Sequence, residues 1–487
     1  MNTLEEIEGV LGPIPRGPLA GDGVTGGAPP VEVLDPATEE PLARVASVTV
    51  DEALTALGTA DAAQRRWART SPRERSDVLR RAFDLLTENA EAVARLIVLE
   101  NGKALPDARA EVRYAAEFFR WYSEEAVRLA GTVQTAPSGQ NTIMVLRQPI
   151  GVALLITPWN FPAAMATRKI GPALAAGCAV LLKPAAETPL TALAIAALLT
   201  RAGVPEGVVG VLCTQEPGAL TTALLADPRL RKLSFTGSTR VGRLLLAEAA
   251  RTVVSSSMEL GGNAPFLVLA DADLDEAVEG ALVAKLRNGG SACTAANRML
   301  VHSSVAEEFS GRLAAAMAAL TVGPGLADGV RIGPLVNRAT LDKVSSLVES
   351  SLAHGSRALT GGRPLDGPGY FYPPTVLAGV DRDDPILREE IFGPVAPVVA
   401  FDDLDDAVDL ANDTEYGLVS YVYTRDLRNA VRVGERLETG MVGVNRAVVS
   451  DPAAPFGGVK QSGLGREGGH DGMLEYTECK YLALDWS

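Results

Sequence analysis

Between residues 151 and 250 the chain reads GVALLITP (151–158), CAVLLKP (178–184), GVVGVLC (207–213) and KLSFTG (232–237), interleaved with LTALAIAALLTRAG (190–203), GALTTALLAD (218–227) and TRVGRLLLAEAA (239–250). The first four runs are short and mostly apolar, whereas the other three are long enough for helices. A strand that is apolar at nearly every position is buried on both faces, so this alternation predicts a parallel sheet covered by helices on either side. A second α/β stretch extends from Phe266 to about Val444. It carries the strand runs RMLVHS and YGLVSYVYT and the helix signals AEEFSGRLAAAMAAL and LDDAVDLAND.

Upstream of the first sheet, helical periodicity begins near Asp51 and continues through Leu129. Ser71-Pro72-Arg73-Glu74 forms a capping box with Pro at the first helical position. Residues 12–30 are too rich in Gly and Pro to build a core and read as an irregular arm. The segment Thr132 to Arg147 is polar and then β-like. With the C-terminal KYLALDWS it suits an edge-pairing arm that joins subunits, or two surface ribbons of one monomer.

Composition narrows the function. In 487 residues, 45 Lys and Arg stand against 60 Asp and Glu, a net charge of −15. Such a surface repels a phosphate backbone, so no nucleic-acid partner is expected, and an anionic ligand needs a local cationic cluster. The 20 uncharged residues from Gln148 to Thr167 contain Pro149, Pro158 and Pro162 with Trp159 and Asn160, which argues against a membrane helix. The opening MNTLEEIEGV is acidic where a secretory leader is basic and then apolar. Four cysteines without a CxxC pair, beside three histidines, make neither a disulfide framework nor a metal site. A soluble, cytoplasmic enzyme acting on a small molecule is expected.

Two dehydrogenase-like patterns are set aside. Gly463 to Gly468 fits GxGxxG, but no apolar strand leads into it, and Tyr476 to Lys480 fits YxxxK with no glycine fingerprint upstream. Phe235-Thr-Gly237-Ser238-Thr239-Arg-Val-Gly242 is the better phosphate loop, since it joins a strand to a helix. Gly237 permits the tight turn, and the helix start offers free N–H groups to a pyrophosphate. A plain turn capped by Ser238 is the alternative.

Cys293 lies among small residues (Asn288 to Thr294), with TAANRML after it reading as a helix whose N-terminus could stabilise a thiolate. A structural role for one free cysteine is equally open. Cys178 and Cys213 sit in apolar strands and read as core residues. No histidine has a persuasive setting as base, so Glu259 in SMELGGN, at a strand end before two glycines, becomes the candidate. A solvated surface role remains its alternative.

Together these residues resemble a known family. MELGGNAPF (258–266) with Cys293 following, ITPWNFP (156–162), LLKPAAETP (181–189), FTGSTRVG (235–242), EEIFGPV (389–395) and PFGGVKQSGLGRE (455–467) are similar, in order and spacing, to the aldehyde dehydrogenase superfamily. Within it, RKIGPALAAGCAVLLKPA, GGNAPFLV and the C-terminal third most resemble succinate-semialdehyde dehydrogenases. The resemblance implies an α/β fold with a Rossmann-type cofactor domain (1–126 and 149–258), an α/β catalytic domain (259–468) and a small β oligomerisation arm (127–148 and 469–487) of a homodimer or homotetramer.

It also implies the site. Cys293 is the nucleophile, Glu259 the base, and Asn160 the oxyanion donor. The cofactor meets Ile156, Trp159, Lys183, Ala186, Gly237, Ser238, Glu390 and Phe392. A substrate carboxylate meets Arg168, Arg287 and Ser450, unless either arginine pairs with a neighbouring acid. Lys169 and Glu478 correspond to positions of structural or proton-relay character. Ser291 replaces a common Gln, and Arg446 adds a charge near the substrate loop. Ala295 stands where some relatives have a second cysteine, so no disulfide switch is expected. Ala186, where a Glu would repel a 2′-phosphate, favours NADP+ over NAD+.

Overall fold

The structure, a computed structural model, describes residues 3–21 and 23–485. Met1 and Asn2 of the opening MNTLEEIEGV, Asp22 of the Gly/Pro stretch, and Trp486 and Ser487 of the run KYLALDWS lie outside the described residues.

The runs that opened the sequence reading form a six-stranded sheet. Its order is Gly463–Leu464, Ser255–Glu259, Leu230–Thr236, Val152–Ile156, Ala179–Lys183 and Val209–Val211. All neighbours are parallel except the antiparallel pairing of Gly463–Leu464 with Ser255–Glu259. Every residue of Val152–Ile156 is buried, as a strand covered on both faces requires. From it the chain builds outward on one side and then returns to build on the other. The crevice at that reversal, at the carboxyl ends of Val152–Ile156 and Leu230–Thr236, is where open α/β sheets bind ligands.

The second α/β stretch forms a seven-stranded sheet. Its order is Arg357–Thr360, Thr375–Ala378, Val395–Phe401, Ala296–His302, Ala264–Val268, Val419–Tyr423 and Met441–Val444. Only Arg357–Thr360 runs antiparallel to its neighbour. Because Ser255–Glu259 passes through Leu260–Asn263 directly into Ala264–Val268, the carboxyl ends of the first sheet meet the amino ends of the second.

The helices expected upstream are present. Ser71 caps Pro72–Glu88, with Ser71 Oγ accepting from the Glu74 N–H and the Glu74 carboxylate accepting from the Ser71 N–H. The Gly/Pro stretch carries an isolated bridge from Leu19 to Val211, and its last residues are not irregular as expected but open the strand Ala28–Leu34, which pairs antiparallel with Pro41–Ser47. The two late ribbons pair with each other in a three-stranded antiparallel sheet, Thr477–Leu484, Thr142–Pro149 and Thr132–Thr135.

One expectation fails. TAANRML is no helix: Cys293 lies in a turn between the short 3-10 segment Arg287–Gly290 and the strand Ala296–His302. Its Ala, Met and Leu favour a helix by propensity. Buried between two parallel neighbours, the same residues fill both faces of a central strand. The apolar run alone cannot distinguish the two.

Candidate active site

Three loops leave the carboxyl ends of the first sheet and converge. After Val152–Ile156 comes the turn holding Trp159 and Asn160, closed by Pro162 at the start of the helix Pro162–Ala176. After Leu230–Thr236 come Gly237 and Ser238, and Ser238 Oγ accepts from the Val241 N–H (3.4 Å) to cap Thr239–Ala250. A Cβ on Gly237 would lie 2.5 Å from the Phe235 ring, so the turn admits glycine alone without a shift. The third loop begins at Glu259. From the second sheet come the Cys293 turn and Glu390–Phe392.

Trp159, Asn160, Gly237, Ser238, Glu259, Cys293, Glu390 and Phe392 share one cleft of about 260 Å³. Ile156 and Lys183 are register partners at the ends of adjacent strands, and Ala186 is exposed in the loop beyond. These three, with Arg168, Arg287 and Ser450, lie outside the cleft's lining.

Close packing fixes the reacting groups. A Cβ on Gly262 would sit 2.5 Å from the Cys293 carbonyl oxygen, so this glycine lets the Glu259 loop pass against the nucleophile turn. Asn288 adopts φ +56°, and its Nδ2 donates to the carbonyls of Asn160 (2.7 Å) and Ser291 (2.9 Å). Phe392, at φ +59°, meets Trp159 edge to face at 5.3 Å between centroids. Asn160 Nδ2 donates to the Ser291 carbonyl at 3.0 Å. An amide carries a second hydrogen, which can serve a charge developing beside Cys293.

Burial pushes the Cys293 thiol up to about 11, against the lowering pull of Arg168 and Arg287. No helix terminus lies at Cys293 to offset that penalty. Glu259 is 3% exposed, and its Oε2 has no partner. Burial first, and the charge of Glu467 second, raise its carboxyl well above the ordinary range, while Arg168 and Lys169 oppose the shift. Cys178 and Cys213 are buried thiols pushed up to about 11 and about 12, which suits the core role read for them.

Arg168 has an acid partner. Its Nε lies 2.5 Å from Glu467 Oε2, and its guanidinium stacks 4.3 Å from the Phe456 centroid. Lys169 Nζ takes the other Glu467 oxygen at 2.5 Å and donates to Ser234 Oγ at 2.8 Å. Arg287, half-buried, lies over Phe161 and lines a second cavity of about 320 Å³ with Asp107 and Arg331. Both arginine charges act on the Tyr114 hydroxyl, whose pKa burial raises. Ser450 is half-buried in the loop after Met441–Val444, and the Arg446 side chain is turned to the Val448 carbonyl.

Sequence reasoning gave no role to Glu467, Thr340 or Lys343. Glu478 is a half-exposed partner of Arg231 on the last strand, and the acid that meets Lys169 is Glu467. Glu467 closes the motif PFGGVKQSGLGRE, so a signal for it existed. Thr340 and Lys343 reach the cleft from the helix Arg338–Ala353, which carries no motif.

The chain has clear relatives. Residues 24–482 match the profile of the Aldehyde dehydrogenase family. A succinate-semialdehyde dehydrogenase of Paenarthrobacter nicotinovorans is 55% identical over 91% of this chain and 98% of that protein. A glutarate-semialdehyde dehydrogenase of Pseudomonas aeruginosa is 47% identical over 93% of this chain and 94% of its own length. Among solved structures, an E. coli NADP dependent enzyme superposes with a TM-score of 0.95 at 44% identity, covering 97% of this chain and 98% of that one.

Proposed function

Because this chain belongs to the aldehyde dehydrogenase family, we propose that it oxidises a short aldehyde bearing a terminal carboxylate, succinate semialdehyde before glutarate semialdehyde, to the corresponding diacid with NADP+. The Cys293 thiolate adds to the aldehyde carbon, and the oxyanion of the thiohemiacetal is met by the Asn160 amide and the Cys293 backbone N–H. Nicotinamide, when bound, supplies the acceptor for the hydride that leaves as the thioester forms. Glu259 then takes a proton from water, the hydroxide attacks the thioester, and the acid departs with Cys293 restored.

The cleft fits a dinucleotide. The Ser238-capped helix start and the bare Gly237 turn suit a pyrophosphate, Lys343 adds a cation at the rim, and Glu390 offers a carboxylate to a ribose. Lys183 would hold the adenosine ribose, with Ile156, Trp159 and Phe392 against the rings. Ala186 brings no charge to meet a 2′-phosphate, and Glu187 beside it accepts from Asn337 Nδ2 at 3.2 Å. That arrangement supports NADP+, with NAD+ also used.

The observation that carries the substrate reading is a pair of guanidiniums, Arg168 and Arg287, whose charges both reach Cys293 in a chain of net charge −15. Arg168 Nε faces Glu467 and its Nη2 donates to Met165 Sδ at 3.2 Å; its remaining donors, with Ser450, would meet the substrate carboxylate. NADPH formation should be compared across succinate semialdehyde, glutarate semialdehyde, and uncharged and aromatic aldehydes, with Arg168→Ala and Arg287→Ala beside the wild type. Carboxylate-bearing aldehydes should give the highest kcat/KM, and both variants should raise their KM. Unmoved KM values would instead favour a neutral substrate. Ester hydrolysis without NADPH formation would favour a thiol acyl-hydrolase.

The same reading makes residues 1–126 and 149–258 the dinucleotide-binding domain and 259–468 the catalytic domain. Residues 127–148 and 469–487 join subunits of a homodimer or homotetramer. The strand Thr132–Thr135, exposed along its length, supports that assembly. No helix among the described residues is long and apolar enough to cross a membrane. The unpaired thiols support a reducing, cytoplasmic setting.

A further inference from the structure

The turn that carries Asn160 is gripped from behind the cleft by side chains with no part in the chemistry above. Lys103, 3% exposed, donates to the Asn160 carbonyl oxygen at 2.6 Å and to Glu111 Oε2 at 2.5 Å. Its ammonium also lies over the Phe161 ring, 4.3 Å from the centroid. Glu111, 2% exposed, accepts with its other oxygen from the N–H groups of Ala163 (2.8 Å) and Ala164 (3.3 Å). These amides open the helix Pro162–Ala176, which has no side-chain cap at Phe161. Glu111 therefore does from a distance what a capping side chain does locally.

The grip extends to the nucleophile. Glu111 and Asp107 lie four residues apart in the helix Leu105–Glu125, on one face of it. Asp107 Oδ2 accepts from the Asn288 N–H at 3.1 Å, and Asn288 Nδ2 in turn donates to the Asn160 carbonyl. Asn101 Nδ2 holds the Trp159 carbonyl at 3.0 Å. One face of this helix, the turn before it and the end of the helix Ala90–Asn101 thus fix both the oxyanion donor and the start of the nucleophile loop. A buried ion pair is a poor source of stability beside an apolar substitute. Its bonds to Asn160 and to the helix start mark a role in alignment.

We infer that Lys103 and Glu111 are positioning residues for Asn160, holding its amide where the thiohemiacetal oxyanion forms. The inference rests on the aldehyde-oxidation reading above. Donors of this kind act only when aimed at the position of the developing charge, and small displacements reduce their effect.

The test uses Lys103→Met/Glu111→Gln, which leaves no unpaired buried charge and keeps an acceptor for Ala163. Two rates are compared with wild type: NADPH formation from succinate semialdehyde, and alkylation of Cys293 by iodoacetamide without substrate. The expected result is a kcat lower by about 10- to 100-fold. KM should stay within about threefold and alkylation within about twofold, because the thiol itself is undisturbed. Should the double variant show no melting transition, Glu111→Gln alone is expected to show the same pattern more weakly. An unchanged kcat, or alkylation falling in step with kcat as general loosening would produce, overturns the inference while leaving the aldehyde reading intact. A wild type that forms no NADPH from any aldehyde overturns both.

Discussion

As the proposed nucleophile, Cys293 has neither a histidine nor a helix terminus beside it, and its environment sets a pH signature. Because burial pushes the thiol up to about 11, iodoacetamide alkylation of the free enzyme should be slow at neutral pH and still rising beyond about pH 9. A plateau near neutrality would mean that the thiol is activated in the free enzyme. For Glu259 the sign is also fixed. Its raised pKa keeps the carboxyl protonated at low pH, and the basic form grows in as pH rises through that value. The kcat should therefore climb with pH. Glu259→Gln should remove that limb and lower kcat by about 10²- to 10⁴-fold. Cys293 and Glu259 were legible locally, one among small residues and the other at a strand end before two glycines, whereas Asn160 came only from the resemblance of ITPWNFP to a family motif. Glu467 and Lys103 act from positions hundreds or tens of residues away, and only the fold brings them near.

At the scale of elements, the helix Pro162–Ala176 carries Arg168 and Lys169 side by side, both bound to Glu467 from the C-terminal segment. Arg168→Met leaves Lys169 to compensate the buried acid, so the cost should lie toward the lower end of the range for a broken buried pair, about 3 kcal/mol by chemical denaturation. The same variant should raise KM for carboxylate-bearing aldehydes and leave that for uncharged ones. A stability change without the KM change would assign Arg168 to structure alone. In the loop after Ala179–Lys183, Ala186→Glu should lower kcat/KM for NADP+ relative to NAD+ by about tenfold through repulsion of the 2′-phosphate. No change in the ratio would mean that Ala186 does not face that group. The parallel strands were legible because burial on both faces leaves an unbroken apolar run. Ala296–His302 shows where that legibility stops: RMLVHS reads as a strand, yet the overlapping TAANRML reads as a helix start, and the two neighbouring strands decide where the strand begins.

At the scale of the molecule, the parallel sheets meet end to end, so that the carboxyl ends of one and the amino ends of the other enclose the cleft. The small antiparallel sheet stands apart from both, with Val133 66% and Tyr481 57% exposed. Val133→Lys should weaken association without touching the cleft, read as a smaller mass by light scattering with kcat retained; an unchanged mass would move the interface elsewhere. The sequence supplied the two ribbons and their possible use at an edge, but not that they pair with each other, because strand partners distant in sequence leave no local mark. The proposal at the centre is that an aldehyde becomes a thioester on Cys293, hydrolysed by a water that Glu259 activates. It is tested most directly in Glu259→Gln, mixed with NADP+ and succinate semialdehyde and then digested for mass spectrometry. The account predicts a burst of NADPH approaching one equivalent per active site and an acyl group on the Cys293 peptide. Absence of the burst, or an acyl group on any other residue, would contradict it.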